Sequence, residues 1–313
     1  MTLSIQSNTI VQLPVWLTPV GYAVAVALLQ SIFIPTINAP VITQVLMASL
    51  VNSVTLLAVL TACFWAALRI VHNKAHSAML GYLLDQNSLS QFAAFRRRAQ
   101  VRLRNHCIAA LTAAVICFPL VFTVLPDLVL PATLQRMIML GCLFTAWLYL
   151  FQGISLARFL YRHFLTQSPD SLHTMKCQQQ VSDVVKILLL ASMILLLLLP
   201  LTAVGNLPYA QLGIGFSTGL AIMILTAFNV LFSAQQKARA YQHHAISRID
   251  TKLYFLQRQS KYRKDALEHA MARLRKEKKG LQRCQCEPVT FTMQLALAAW
   301  SVTVPVLWWL VSA

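Results

Sequence analysis

The sequence predicts an all-α, polytopic transmembrane protein, and three observations support this fold class. Only 11% of the 313 residues are charged and 58% are apolar, whereas soluble domains have about 25% charged residues. No charged residue precedes Arg69. The apolar residues form runs of about 20 residues, the length that a helix needs to cross a bilayer. Because the alternation typical of barrel strands is absent, we predict that these runs are helices.

Seven apolar runs predict seven spans, arranged as three hairpins followed by a final helix. The hairpin turns are short and contain prolines, which do not continue a helix; they read "PTINAPVI", "PDLVLP" and "GNLPYAQLG". The leading "MTLSIQSNTIVQLP" carries no Lys or Arg, so we interpret the first run as a retained span and not as a signal peptide. The predicted spans are residues 14–34, 43–69, 107–125, 134–156, 185–204, 212–234 and 291–311.

The distribution of basic residues predicts the orientation of these spans. Of the 26 Lys and Arg residues, all except Arg136 lie in three links between hairpins, at 69–104, 158–186 and 237–283. With seven spans, all three links lie on the same side of the membrane. Since basic links are retained in the cytoplasm, we predict that the N-terminus is inside and the C-terminus is outside.

These assignments divide the chain into three regions. Residues 1–235 form a transmembrane region of six spans with two basic cytoplasmic links, at 70–106 and 157–186. Residues 236–288 form a basic cytoplasmic helical segment. Residues 289–313 contain the seventh span.

The basic helical segment carries an apolar seam. Between residues 237 and 283 there are 14 Lys and Arg residues against four Asp and Glu residues. Two helices folded on each other fit the pattern, and so does one helix that extends span six with another that leads into span seven. The seam could pack against partner subunits as a coiled coil, or the segment could lie on anionic lipid. The seam residues recur at intervals of mostly three and four: Ile246, Ile249, Leu253, Leu256, Leu267, Met271, Leu274 and Leu281.

Residues that carry chemistry are scarce. No Asp, Glu, Lys, Arg or His lies at the centre of a predicted span, and such groups are typical of ion-coupled carriers and proton relays. The chain has no phosphate loop of the G-K-[ST] type and no H-E-x-x-H zinc motif. With nine acidic residues in all, we predict that the protein is not an enzyme and holds no cofactor or metal.

Uncharged polar residues occur singly within the spans. They line either a pore or a substrate path, or they form hydrogen bonds between helices, which contribute about 0.6 kcal/mol each in membranes. The residues are Gln30, Asn52, Gln152, Asn229 and Gln294.

Two short motifs suggest contacts or modification. Gly215 and Gly219 form a small-xxx-small pair, which predicts a close helix contact or a dimerisation face. Cys284 and Cys286 lie just before span seven, on its predicted cytoplasmic side. A cytoplasmic location disfavours a disulfide and the spacing does not match a zinc site, so we predict that these two cysteines are candidates for S-acylation.

The net charge of +17 is explained by positive-inside topology together with anionic lipid headgroups. We therefore expect anionic lipids at the inner face as partners, and no nucleic acid. We also expect a homo- or hetero-oligomer with other membrane proteins, located in the plasma membrane or the bacterial inner membrane.

Spans without chemical signatures and a basic cytoplasmic helix predict a non-enzymatic integral subunit of a larger membrane assembly for secretion, export or transport. Two alternatives stay open. One is an oligomeric ion channel or chemoreceptor. The other is a facilitator or flippase for an uncharged or lipid-like substrate, which needs no charged group in the membrane.

The channel alternative is based on a resemblance in layout. Seven spans, an inner N-terminus, an outer C-terminus and extended inner helices around spans six and seven resemble the insect gustatory and odorant receptors over the whole chain. The Thr-Tyr…Gln-Phe signature of that family is not reproduced in "TFTMQLALAAWSVTVPVLWWL", where Thr290 and Phe291 are followed by no Gln-Phe. No functional residue is therefore transferred from the family.

Overall fold

The computed structural model confirms an all-helical protein with the character of a membrane protein. The described part of the backbone contains seven α-helices and no strand. It comprises residues 14, 16–33, 41–85, 89–122, 132–165, 172–200, 207–259, 264–283, 299–300 and 303–304. The helices are α1 (Leu17–Phe33), α2 (Val41–Asp85), α3 (Leu89–Phe122), α4 (Ala132–Leu160), which continues into a π-helical turn (Tyr161–Leu165), α5 (Leu172–Leu198), α6 (Leu207–Gln259) and α7 (Lys264–Arg283).

Five of these helices contain a stretch that is long and apolar enough to cross a membrane, and α1 contains a shorter apolar stretch, Leu17–Leu29. Most of the predicted seventh span lies outside the described residues. Its four described residues are helical, and Trp300 packs against a buried cluster shared by α2, α4, α5 and α6. The five stretches are Thr55–Gly81, Arg97–Pro119, Arg136–His163, Gln178–Leu198 and Gly215–Arg258.

The helices extend well beyond the predicted spans. α2 has 45 residues, α3 has 34 and α6 has 53, so at 1.5 Å per residue α6 is about 80 Å long. Every described residue of the predicted link 70–106 is helical, and residues 86–88 lie outside the described part. The physical reason is that polar residues lower the hydropathy of a run without ending a helix, since many of them have good helix propensity.

Four helices form a ring around the main core. α2 packs against α4 and α5, and α6 packs against the same two helices. α1 lies outside the ring against α2, and α3 lies outside it mainly against α4. α1 and α2 are antiparallel, because Arg69 Nη1 near the middle of α2 donates a hydrogen bond to Thr18 Oγ1 at the start of α1.

Aromatic side chains fill the centre of this ring. Phe64 of α2 is 2% exposed, and its ring centroid lies 5.7 Å from that of Tyr149 in α4 and 6.5 Å from that of Phe216 in α6. The Tyr149 hydroxyl lies 3.0 Å from the Ser192 hydroxyl of α5, which in turn donates to the Leu188 carbonyl at 2.6 Å. The core is therefore tied together by ring contacts and one buried polar link.

The outer surface of the helices is apolar where a bilayer would contact it. On α3, Ile108 is 60% exposed and Ile116 is 65% exposed, and on α6 Leu225 is 68% exposed. Contiguous apolar surface of this kind is rare on soluble monomers. The apolar stretch of α3 also has a low buried fraction. Both observations favour contact between this surface and lipid.

The C-terminal part of α6 and α7 form a helical hairpin. Ile249 and Leu281 are buried against each other's helix, Lys278 Nζ lies 2.5 Å from Asp250 Oδ1, and Gln242 Nε2 donates to the Leu281 carbonyl at 2.8 Å. The structure agrees with two helices folded on each other, because α6 continues from its apolar stretch into the hairpin and α7 folds back on it. The connection from α7 to the predicted seventh span lies outside the described residues.

Candidate functional site

Two basic features converge at one end of the helix ring: a cleft between α3 and α4, and the hairpin of α6 and α7. We call the first the basic cleft and define it by Arg102 and His106 of α3, Arg158 of α4, and Arg162 and His163 of the π-helical turn, with Ser155 and Phe159 between them. We call the second the basic arm, residues 237–283.

The basic cleft has a volume of about 410 Å³. The guanidinium carbon of Arg102 lies 4.5 Å from the centroid of the Phe159 ring, a cation–π contact that fixes the side chain without neutralising its charge. Arg98, Arg102 and Arg162 are all close enough to His163 to interact with it electrostatically. The cleft is therefore strongly electropositive.

The π-helical turn helps to bring these charges together. The turn follows α4 directly at Tyr161–Leu165, and turns of this type widen a helix and often occur at functional sites. Lys237 of α6 lies over the Tyr161 ring, 5.5 Å from its centroid. The basic ends of α3, α4 and α6 therefore meet at one end of the bundle.

A smaller cavity of about 100 Å³ adjoins the basic cleft and reaches α2 and α5. The two share Arg102, His106, Ser155 and Phe159. The smaller cavity is lined mostly by apolar side chains, such as Leu68, Val71 and Leu188, together with the contacting rings of His72 and His76. A polar entrance thus leads to an apolar interior.

Gln152 is the one sequence-predicted polar residue that lines a cavity of the described part. It borders the smaller cavity, and its Nε2 is buried without a hydrogen-bond partner among the described residues. Asn229 lies exposed on α6. Gln30 and Asn52 lie in α1 and α2, with side chains outside the described part, and Gln294 lies outside it altogether. Of these five residues, the two with described side chains, Gln152 and Asn229, do not line a common site.

The two predicted glycines differ in their surroundings. A Cβ atom on Gly219 would lie 2.8 Å from Leu150 Cδ1 of α4, whereas one on Gly215 would meet no heavy atom within 4 Å. Gly153 of α4, which the sequence analysis did not single out, packs even closer, against Met223 of α6. Cys284 and Cys286 lie outside the described residues.

We expect Gly219→Val to lower the thermal unfolding temperature in detergent, because the added side chain must displace the buried Leu150 side chain of α4. Overpacking of this kind costs about 1–3 kcal/mol. Gly215→Val is the matched control, with an unchanged unfolding temperature. A loss of oligomers in the Gly215 variant alone would assign that glycine to a dimerisation face, and equal unfolding temperatures for both variants would contradict the helix contact.

One pattern typical of hydrolases occurs in the chain and was overlooked in the sequence analysis. Residues 215–219, "GFSTG", match G-x-S-x-G. In a hydrolase the serine of this pattern sits on a sharp strand-to-helix turn, but here all five residues lie inside the continuous helix α6. The pattern therefore does not form a nucleophile elbow.

Two exposed aromatic side chains lie near the last residue of α6, at the end of the basic arm that is far from the helix ring. Tyr254 is 64% exposed and Phe255 is 57% exposed, and their ring centroids lie 6.2 Å apart. Between the two helices, the seam residues Ile249 and Leu281 are buried, so the basic side chains point outward. Tyrosine and arginine are enriched in interaction hot spots, and exposed aromatic side chains are common at interfaces.

Among the residues that the structure describes, no group of three or more His, Cys, Asp and Glu side chains could hold a metal ion. No protein family, curated protein or solved structure matches this chain.

Proposed function

We propose that this protein is a non-enzymatic integral subunit of a larger membrane assembly, and that it docks an acidic partner through the basic arm. The observation that carries the proposal is the continuity of α6. This helix runs without interruption from an apolar stretch to the aromatic end of the arm. About 25 residues follow its predicted span, so the arm would reach about 37 Å beyond the membrane.

Continuity favours docking over a role at the lipid surface. A helix that lies on lipid needs a bend where it leaves the span, and an apolar face turned to the membrane. α6 has no such break, and its apolar seam is occupied by α7. The charges and aromatic rings of the arm are thus presented to the cytoplasm.

We propose seven spans, with an inner N-terminus and an outer C-terminus, as the topology of this subunit. The convergence of basic helix ends supports it, because Arg102 contacts α4 and Lys237 contacts the π-helical turn at the same end of the bundle. The packing of Trp300 against the buried cluster also supports a seventh helix. Tags at both termini, tested with an impermeant reagent on intact cells, should react from opposite sides; reaction from one side would contradict an odd number of spans.

The docking role is tested by purification in mild detergent. We expect the wild-type protein to bring acidic polypeptides with it in constant proportion, and to release them as salt is raised, because exposed charges are screened. Tyr254→Ala with Phe255→Ala should weaken this association at least ten-fold, since hot-spot residues contribute about 2 kcal/mol or more each.

The control for this experiment is His243→Ala with His244→Ala, which removes two exposed rings elsewhere on the same arm. This variant should keep its partners. A wild-type protein that behaves as a lone monomer would contradict the proposal, and so would equal partner loss from both variants.

The cleft and its apolar cavity favour one second candidate, a facilitator for a lipid-like substrate. Its specific support is the passage from a basic entrance to an apolar interior between α2, α3 and α4. In vesicles that contain fluorescent lipid in both leaflets, a facilitator would expose the inner-leaflet fluorophores to an external quencher. If the inner-leaflet fluorescence of the reconstituted vesicles stays protected from the quencher, the facilitator function is rejected. An evoked ionic conductance from tetrameric particles would instead support the channel alternative.

A further inference from the structure

The basic cleft gathers positive charge from α3, α4 and the π-helical turn. Three arginines and two histidines line it, and Arg98, Arg102 and Arg162 all interact electrostatically with His163. Like charges a few ångströms apart repel each other, more strongly where water is partly excluded. A bound anion would offset this repulsion.

The predicted spans place the cleft at the depth where a bilayer carries its phosphate groups. Arg102 and His106 precede the start of predicted span three at residue 107, and Arg158 and Arg162 follow the end of predicted span four at residue 156. At 1.5 Å per residue, all four lie within about 9 Å of the predicted hydrocarbon boundary. Basic pockets between transmembrane helices at the cytoplasmic face suit anionic headgroups.

The chemistry of the cleft fits a phosphate group in particular. Arginine presents a planar fork of N–H donors that can bind two phosphate oxygens at once, and the Phe159 ring already holds the Arg102 fork in place. Ser155 adds a hydroxyl to the lining.

The cleft is continuous with a surface for acyl chains. From the cleft residue Ala109, the same side of α3 continues to Ile116, about two turns further along, which is 65% exposed. This side of α3 borders the apolar surface that carries Ile108, which is 60% exposed. A ligand with a phosphate at one end and hydrocarbon at the other would match both surfaces.

We propose that the basic cleft binds the phosphate group of an anionic membrane lipid, with the acyl chains along the exposed face of α3. The site goes beyond the proposed docking role and is independent of the arm. It shares with that proposal only the position of the membrane, which labelling of the termini tests separately.

The test is native mass spectrometry of the full-length protein in a zwitterionic detergent, titrated with dioleoyl phosphatidic acid. We expect one lipid to bind saturably, and dioleoyl phosphatidylcholine to bind at least ten-fold more weakly. Arg102→Gln with Arg158→Gln should weaken phosphatidic acid binding at least ten-fold, because two charge-assisted contacts are lost. Ala109→Trp should do the same by filling the cleft without any change of charge.

The matched control is Arg248→Gln with Arg273→Gln, which removes two exposed arginines from the basic arm and should bind like wild type. Unchanged binding in either folded cleft variant would overturn the site, and equal loss in the arm variant would reduce it to non-specific charge attraction. Glycerol 3-phosphate distinguishes the source of the phosphate. If glycerol 3-phosphate binds as tightly as phosphatidic acid, the assignment to a membrane lipid is overturned. If glycerol 3-phosphate fails to displace phosphatidic acid, the assignment is supported.

Discussion

Replacement of Phe64 by alanine is expected to lower the free energy of unfolding by about 3–5 kcal/mol, the usual cost of truncating a buried aromatic side chain. Phe64 is 2% exposed and contacts the rings of Tyr149 and Phe216, so its loss leaves a cavity between α2, α4 and α6. Since α2 and α6 lie diagonally in the helix ring, few other contacts can close this gap.

The measurement is reversible unfolding in mixed micelles, followed by tryptophan fluorescence. Ile116→Ala is the control, because Ile116 is 65% exposed on the outer face of α3 and contacts lipid or detergent whether the bundle is folded or not. Its effect should stay below about 1 kcal/mol. A similar loss in the two variants would mean that the aromatic cluster is not the centre of the fold.

Replacement of Ile249 by aspartate is expected to detach α7 from α6 while the membrane part remains folded. Ile249 is 6% exposed and packs toward Leu281, which is 3% exposed. Loss of the buried side chain costs about 2–5 kcal/mol, and the carboxylate would have to be desolvated in its place. The ion pair of Asp250 with Lys278 is exposed and contributes too little to compensate.

Hydrogen exchange measures this detachment. Amides of α7 should exchange at least ten-fold faster in the variant, because an isolated helix of 20 residues is only marginally stable in water. Amides of α5 should not change. Ser247→Asp places the same charge on the exposed side of α6 and should leave α7 protected; slow exchange in both variants would show that α7 is stable without the seam.

The helical fold class and five of the apolar spans could be predicted from the sequence, because a long uncharged run has few ways to satisfy its backbone in lipid. Helix ends were predicted less well. Residues 70–85 were assigned to a link, yet they continue α2, since polar residues such as His72 and Lys74 lower the hydropathy of the run without ending a helix. The seven-span count and the orientation stay predictions.

The basic cleft could not be predicted, because its residues come from helices whose contact is tertiary. Arg102 appeared as part of a basic run before span three, and Arg158 as an isolated cation after span four; only the packing of α3 on α4 places them around one space. The apolar seam of the arm was easier to predict, because residues three and four apart share one face of a helix. Gly153 carried no signal because its close neighbour, Met223, is on another helix.

Because α6 is one continuous helix, a movement at one of its ends is transmitted to the other. Gly219 rests against Leu150, and Tyr254 lies about 50 Å further along the same rod. A partner that tilts the tip by about 10° would sweep it through about 9 Å and rotate the buried half by the same angle. Force applied at the end of the arm would thus reach the α4 interface directly, without a break in the helix to absorb it.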